Sequence, residues 1–194
     1  MKIKELVVIG VLLCSTAYAS EVVMQGGWSH TNESNYGDSA TAVIRLENPL
    51  FDRLNWGIEG GYHGPQSHYP EDKGVHSYGD LSGYHIIGDL IWYPKTNWRL
   101  DPYLIAGAGW SWWSFDRSQE VNDLGIDIKM GDAFCYKAGV GADLPINEHW
   151  SLNGEFKFFK ADIPKNSGDS IILTDQSKIG QEELNFVVGL KYRW

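Results

Sequence analysis

The end of the chain shows the clearest pattern of hydrophobic and polar positions. In the last eleven residues, LNFVVGLKYRW, an apolar or aromatic side chain stands at every second position from Leu184 to Trp194. The positions between them are mostly polar or small, among them Asn185 and Lys191. A repeat of two is typical of a β-strand, because successive side chains of a strand point to opposite faces. We therefore predict a strand with one apolar face.

Other segments along the chain alternate in the same way, and none shows a convincing helical repeat of 3.6 residues. Eight strands are predicted in total. Their predicted bounds, in chain order, are Glu21–His30, Ser39–Glu47, Leu54–His63, Leu81–Tyr93, Pro102–Phe115, Asp132–Leu144, Trp150–Ala161 and Glu182–Trp194.

The connections between these strands alternate in length. NPLFDR, PKTNWRLD and PINEH are short and contain Pro or Asn, whereas QSHYPEDKGVHSYGD, DRSQEVNDLGIDIKMG and IPKNSGDSIILTDQSKIGQ are long, polar and contain Gly. Short turns on one side and long loops on the other are typical of an outer-membrane β-barrel. A soluble β-sandwich is the alternative, although it would not show this regular alternation of loop lengths.

Aromatic residues cluster at both ends of the apolar faces. The tryptophans that form these two clusters are Trp56, Trp92, Trp150 and Trp194 next to short turns or the chain end, and Trp28 and Trp112 near long loops. Two aromatic rings separated by aliphatic residues are expected at the two interfaces of a bilayer, so these tryptophans are predicted to form its aromatic girdles. The sequence thus predicts an all-β fold, an eight-stranded antiparallel up-and-down transmembrane β-barrel.

The start of the chain resembles a secretory signal. Lys2 and Lys4 precede the apolar run LVVIGVLLC, and Ala17-Tyr18-Ala19 fits a small-x-small cleavage site. The apolar run is too short to cross a membrane as a helix. We therefore predict a signal peptide in residues 1–19 and a barrel domain in residues 20–194.

Composition narrows the choice of partners. The chain has 16 Lys and Arg against 25 Asp and Glu, a formal net charge of −9, which argues against a nucleic-acid partner. Nine Trp and ten Tyr accompany a mean hydropathy of only −0.30, as expected when half of each strand is polar. Cys135 is the only cysteine outside the predicted signal, so no intramolecular disulfide is expected.

Three stretches resemble a known family. YPKTNWRLDPYLIAGAGW is similar to the turn and fifth strand of small eight-stranded outer-membrane barrels of the OmpW and OmpA-like type, and GVGADLPINEHWSLNGEFKFF to their sixth and seventh strands. The ending VVGLKYRW resembles their C-terminal assembly signal, although it closes on Trp where the family usually has Phe. The resemblance implies an integral protein of the outer membrane of a Gram-negative bacterium. It also implies that the assembly machinery reads Leu190, Tyr192 and Trp194.

The polar faces carry charges of both signs, which in a barrel point into the lumen. The residues predicted to form a lumen charge network are Arg45, Glu59, Asp89, Lys137, Glu155, Lys157 and Lys191. Eight strands leave room for little more than side chains, and a buried charge without a partner costs several kcal/mol. A salt-bridge network that fills the lumen is the preferred interpretation. A gated polar path or a pocket for a small ligand is the alternative.

Two kinds of chemistry are considered and not favoured. His63 and His85 are predicted to point inward beside Glu59 and Asp89, where a divalent metal is conceivable; we expect ordinary lumen hydrogen bonds instead, with no metal and no cofactor. Small barrels that remodel lipid A need a positioned nucleophile and base. The matching stretch of the seventh strand, EFKF, has neither His nor Ser, and Ser29 with His30 is the nearest substitute. No enzymatic activity is predicted.

Two functional classes follow from the resemblance and the loops. The preferred one is a structural or transport barrel that passes small hydrophobic molecules, as the OmpW-like resemblance implies, from the outer mouth sideways into lipid. The other is an adhesion barrel that acts through its long acidic loops. Outer-membrane lipid, lipopolysaccharide and the outer-membrane assembly machinery are the expected partners, together with a small hydrophobic ligand in the first class.

Overall fold

The computed structural model of the chain describes residues 20–31, 37–68, 79–117, 128–167 and 178–194. Among these residues no helix is long and apolar enough to cross a membrane. The secondary structure of the described residues is β-strand. The strands are β1 (Glu21–Thr31), β2 (Ser39–Phe51), β3 (Leu54–His68), β4 (Gly79–Trp92), β5 (Asp101–Arg117), β6 (Ile128–Met130), β7 (Asp132–Pro145), β8 (Trp150–Ser167) and β9 (Lys178–Arg193).

The eight long strands form one closed antiparallel barrel. Each strand pairs with the next long strand along the chain, and β9 returns to pair with β1, so the sheet has no free edge. The short β6 pairs with the outer part of β8. The predicted fold class is therefore confirmed, and the closed barrel excludes the β-sandwich.

The seam between β1 and β9 is paired along the whole of β1. Its register runs from Glu21↔Arg193 to Thr31↔Glu183. Gly27 lies in this seam, and a side chain there would collide with the Phe186 carbonyl oxygen and approach the Cα atom of Val187 to 2.7 Å. Glycine at this position allows the two strands to approach closely enough to close the barrel.

The strands are longer than predicted. β3 continues to His68 and β8 to Ser167, β9 begins at Lys178, and β6 lies inside a segment predicted to be loop. The predicted bounds were wrong here because backbone pairing continues where the alternation of side chains has stopped. At the other end β2 runs through Pro49 to Phe51, so the predicted turn NPLFDR shrinks to Asp52 and Arg53.

The two ends of the barrel differ. We call one end the turn end, because it holds both ends of the described chain and the short connections at 52–53, 93–100 and 146–149. The opposite end, from which the connections at 32–38, 69–78, 118–127 and 168–177 leave, is the loop end. The turn at 52–53 is tight: Arg53 adopts φ 67°, a left-handed conformation, and its carbonyl oxygen accepts a hydrogen bond of 2.9 Å from the Tyr93 N–H.

The two faces of the barrel wall are the reverse of those in a soluble protein. Large apolar side chains such as Trp28 and Phe186 are exposed on the outer wall, at 55% and 58% of their surface. Charged side chains fill the inside, where Arg45 and Glu47 have no exposed surface. A wall that is apolar outside and ionic inside is stable only when hydrocarbon surrounds it.

Candidate functional site

The seven residues predicted to form a lumen charge network all lie inside the barrel. Arg45, Glu59, Asp89, Lys137, Glu155, Lys157 and Lys191 are each at most 3% exposed. They reach the lumen because each occupies an inward position of its strand, and the register of neighbouring strands brings these positions to similar heights. A charge in this environment is stable only with a close partner of opposite sign.

Arg45 is the centre of the network. Its Nε donates to Glu47 Oε1 at 2.8 Å, its Nη1 to Glu59 Oε2 at 3.2 Å and its Nη2 to Glu155 Oε1 at 2.5 Å. One guanidinium therefore connects β2 with β3 and, across the lumen, with β8. The planar fork of donors on arginine suits this simultaneous contact with several carboxylates.

Two lysines extend the network around the barrel. Lys157 Nζ lies 3.0 Å from Glu155 Oε2 and 3.4 Å from Glu59 Oε2. Lys137 Nζ lies 2.5 Å from Glu59 Oε2 and 3.1 Å from Asp89 Oδ2. Glu59 thus contacts three cations, and the ion pairs cross-link five strands from β2 to β8.

Lys191 belongs to a second group nearer the turn end. Its Nζ lies 2.6 Å from Glu21, 3.0 Å from Glu47 and 3.2 Å from Asp143. Glu47 joins this group to Arg45. The structure therefore brings all seven predicted residues into one connected set of ion pairs.

The sequence did not identify the tyrosines of this set. Tyr103 donates a hydrogen bond of 2.6 Å to Glu155, and Asn153 donates one of 2.7 Å to the Tyr103 hydroxyl. Lys191 also lies 2.8 Å from the Tyr93 hydroxyl. Tyr103 stands at an inward position in the alternation of its strand, which is the feature that could have indicated this role. A tyrosine fits an apolar and a polar face equally well, so the position alone did not identify it.

The two histidines form a chain rather than a metal site. His63 Nε2 lies 2.9 Å from His85 Nδ1, while His63 Nδ1 lies 2.8 Å from Glu183 and His85 Nε2 lies 3.2 Å from Glu59. These contacts run in line and do not converge on a point. Within the described part of the chain, no group of His, Cys, Asp and Glu is arranged to hold a metal ion.

The loop-side part of the lumen has a polar and an apolar side. On the polar side, the buried Gln181 side chain donates hydrogen bonds of 2.6 Å to Gln66 and 2.9 Å to Glu183. An apolar cluster, which we call the apolar layer, occupies the other side. It consists of Leu81, Ile87, Trp113, Ala133, Cys135, Phe159, Ala161 and Ile163. The sequence missed Trp113 and Phe159, because the runs WSWWSF and FKFF place aromatic residues on both faces of their strands and hide the inward one. Between the layer and the network, the cavity bordered by Glu59, His63 and Phe159 has a volume of about 10 Å³, no more than one water molecule needs.

Ser29 and His30 do not form a catalytic pair. Ser29 points into the lumen and donates a hydrogen bond of 2.7 Å to Glu183. His30 points to the outside and lies 2.6 Å from Asp38. Neighbouring residues of a strand face opposite sides of the wall, so His30 cannot act as a base for Ser29.

The predicted girdle residues lie on the outer wall. Trp28, Trp56, Trp92, Trp150 and Trp194 are exposed, and Trp112, in register with Tyr84, is half-buried. Leu190, Tyr192 and Trp194 share this outer face at the end of the chain, where the Tyr192 ring lies 4.8 Å from that of Trp150 and 5.9 Å from that of Trp194. The long-loop residues considered for adhesion, at 69–78, 118–127 and 168–177, lie outside the described residues.

Comparisons with known proteins agree with this architecture. The family model described as "Outer membrane protein beta-barrel domain" matches residues 7–193. A search of curated protein sequences gives no significant match.

Solved structures with the same fold include three outer-membrane proteins. OprG of Pseudomonas aeruginosa has 17% identity and a TM-score of 0.67, with 91% of this chain and 96% of that chain covered. Neisserial surface protein A has 11% identity and a TM-score of 0.65, with 90% and 96% covered. A major outer membrane protein of Thermus thermophilus has 13% identity and a TM-score of 0.60, with 91% and 100% covered. At these sequence identities, the similarity is evidence for a shared fold alone.

Replacing Arg45 with methionine tests the lumen network. Arg45→Met leaves Glu47, Glu59 and Glu155 without their shared cation, so we expect the free energy of unfolding to fall by about 3–5 kcal/mol. Urea unfolding of the refolded protein in lipid vesicles measures the change. Lys160→Met is the control, because Lys160 pairs with Glu182 on the exposed outer wall and its loss should change stability little. Equal stability of the two variants would contradict the network.

Proposed function

Because the chain belongs to the outer membrane protein β-barrel family, we propose that it admits small apolar molecules at its outer mouth and releases them sideways into the membrane. The protein is an integral outer-membrane barrel. Barrels of this kind have short periplasmic turns and longer extracellular loops, which supports an orientation with the turn end in the periplasm and the loop end outside. The observation that supports the proposal is that apolar side chains such as Trp113, Phe159 and Ile163 lie together in the loop-side part of the lumen, beyond the ionic network.

The ion pairs of the inner layer argue against a route that leads through the lumen into the periplasm. Arg45 and the lysines cross-link the lumen through buried ion pairs, and the cavity above them holds about 10 Å³. A solute that crossed this layer would have to separate several buried pairs, at a cost of several kcal/mol for each charge left alone. Apolar molecules gain nothing from such a path, and the nearest apolar side chains in the lumen are those of the buried cluster above it, which includes Trp113, Phe159 and Ile163.

An interruption in the wall supports the sideways exit. The pairing of β7 with β8 ends at Cys135↔Ala161, and pairing with β8 resumes only at Met130↔Lys165 on β6. The register shifts by one residue between these pairs, which indicates a bulge. Ala133 and Ile163 of the apolar layer line its inner side. The pairing of the wall is therefore interrupted beside the apolar cluster, as it also is between His63 and Gln66 of β3.

We also propose that residues 1–19 are removed and that the last strand is read during assembly. β1 begins at Glu21, directly after the proposed cleavage, and the Ser20 N–H donates to the Glu47 carbonyl at 3.1 Å and to Asn48 Oδ1 at 3.0 Å. Leu190, Tyr192 and Trp194 present an alternating apolar surface on the outside of β9. These positions suit recognition of the strand by the outer-membrane assembly machinery.

Filling the apolar layer tests the transport proposal. Ala133→Trp places a large ring in the layer, so uptake of a small apolar fluorescent dye by cells that depend on this protein should fall towards the rate of cells without it. Ala106→Trp is the control, because Ala106 faces lipid on β5 and its change leaves the lumen free. The measurement is the rate of fluorescence increase after the dye is added.

Two results would overturn this proposal. One is uptake that is unchanged by Ala133→Trp while the variant reaches the outer membrane normally. The other is steady ion conductance of the refolded protein in a planar bilayer, which would show an open polar path. Binding to host-surface material that is lost when the long loops are shortened would favour the adhesion function.

Changes at Trp194 separate recognition during assembly from stability. Trp194→Phe keeps an aromatic end, so outer-membrane abundance should stay nearly unchanged. Trp194→Ala should lower the abundance of the protein in the outer membrane of cells. In detergent, its free energy of unfolding should fall by only about 1–3 kcal/mol, the contribution of one large side chain. Abundance is measured in isolated outer membranes and stability by urea unfolding. Normal abundance of Trp194→Ala would exclude a role of this side chain in assembly.

A further inference from the structure

Two histidines lie in contact inside the lumen, on neighbouring strands. His63 is on β3 and His85 on β4, and their side chains are 1% and 3% exposed. His63 Nε2 lies 2.9 Å from His85 Nδ1, which is a hydrogen-bond distance. The His85 ring fills the space beside Gly61, where a Cβ atom would collide with it. We call His63 and His85 the histidine pair; neither ring has a part in the proposed passage of apolar molecules.

The outer nitrogen of His63 faces an ionised carboxylate. His63 Nδ1 lies 2.8 Å from Glu183 Oε2. The same carboxylate accepts hydrogen bonds from Ser29 at 2.7 Å, Gln66 at 2.8 Å and Gln181 at 2.9 Å, and a carboxylate that only accepts is ionised. A bare nitrogen at this distance would place its lone pair against an anionic oxygen. His63 Nδ1 therefore carries a proton.

The outer nitrogen of His85 faces a second carboxylate. His85 Nε2 lies 3.2 Å from Glu59 Oε1. The other oxygen of Glu59 contacts Arg45, Lys137 and Lys157, so this carboxylate is ionised as well. For the same reason as in His63, His85 Nε2 carries a proton.

These contacts leave one place for a further proton, between the two rings. An imidazole ring is neutral with one N–H group and cationic with two. If both rings were neutral, the lone pairs of His63 Nε2 and His85 Nδ1 would face each other with no hydrogen between them. If both were cationic, two N–H groups would point at each other over the same 2.9 Å. One proton between these nitrogens gives a hydrogen bond, and the pair then carries a single positive charge.

The two carboxylates differ, and this difference places the charge on His63. Glu59 already contacts three cations, whereas the hydroxyl and amide groups that donate to Glu183 are neutral. The negative charge of Glu183 therefore remains for His63 to balance. The His63 ring also stacks on Trp113, with ring centroids 5.5 Å apart, and an aromatic face at this distance attracts a cation. His63 Nε2 is thus the donor of the shared hydrogen bond and His85 Nδ1 the acceptor.

We propose that the histidine pair holds one shared proton and that a second proton, added at acidic pH, breaks its hydrogen bond. The charged groups around the pair are Glu183 on β9, Glu59 on β3, Arg45 on β2, Lys137 on β7, Lys157 on β8 and, through Lys137, Asp89 on β4. A second imidazolium would stand beside the first and near the two lysines, which border the same small cavity as the pair. The pair therefore links the group around Glu183 to the ionic network only while it holds one proton. This link does not depend on the passage of apolar molecules through the lumen.

Nitrogen NMR of the histidine rings tests the shared proton. The protein is refolded in detergent micelles with nitrogen-15 in its histidines, and the ring signals are assigned from the backbone. At neutral pH, His63 should show both ring nitrogens protonated and His85 only Nε2. A scalar coupling across the hydrogen bond should join His63 Nε2 to His85 Nδ1. Any other distribution of protons at neutral pH, or a missing coupling, would overturn the proposal.

The pH dependence of stability gives a second test. An unfolded histidine gains its second ring proton at about pH 6.5. Below this pH the unfolded chain binds an extra proton on each of the two rings and the folded pair binds one in total, whereas above it the unfolded rings bind none and the folded pair still binds one. The contribution of the pair to the unfolding constant should therefore be smallest at about pH 6.5, and its rise should approach about tenfold per pH unit on either side.

Urea unfolding between about pH 5 and about pH 8 measures this contribution, as the difference between the protein and the double variant His63→Gln with His85→Gln. His149→Gln is the matched control, because His149 is exposed at the turn end, where its Nδ1 lies 3.0 Å from the Arg193 carbonyl oxygen. The control should keep the minimum of the unfolding constant at the same pH. A difference between the protein and the double variant that is constant over this range, or that changes in one direction throughout, would overturn the proposal. If the double variant does not refold, the coupling decides, because it is measured on the unchanged protein.

Discussion

Backbone hydrogen bonding in hydrocarbon is the constraint on which the whole structure depends. No water is present there to satisfy a free N–H or C=O group, so a sheet inside the membrane must close on itself. The pairing of β9 with β1 meets this requirement, and Gly27 allows the close approach that it needs. Because the number of long strands is even and every pair is antiparallel, both ends of the described chain lie at the turn end.

The number of strands in the closed barrel also limits what the lumen can contain. The lumen is so narrow that side chains fill it, and the inward half of every strand must therefore pack against the others. The protein fills the inner part with ion pairs around Arg45. It fills the outer part with an apolar cluster around Trp113 and Phe159 and with a hydrogen-bonded group of Gln66, Gln181 and Glu183. The ion pairs cross-link strands around the barrel, and the apolar cluster is packed and buried.

The alternation of side chains, the alternating loop lengths and the aromatic clusters together predicted the barrel and its two faces, and the charged residues assigned to the lumen lie inside it. Which charges meet could not be predicted, because Arg45 and Glu155 are 110 positions apart and their contact depends on the register around the whole barrel. Trp113 was hidden among neighbouring aromatic residues, and strand ends such as His68 depend on pairing rather than on pattern.

Amide hydrogen exchange of the protein in lipid nanodiscs tests closure most directly. If β9 pairs with β1 as described, the amides of 22–29 and 185–192 should exchange as slowly as those in the paired middle of β4 and β5, because every one of these strands lies between two neighbours. Slow exchange at both places is the result that this account predicts. Fast exchange along β1 and β9, with β4 and β5 still protected, would show an open sheet and contradict it.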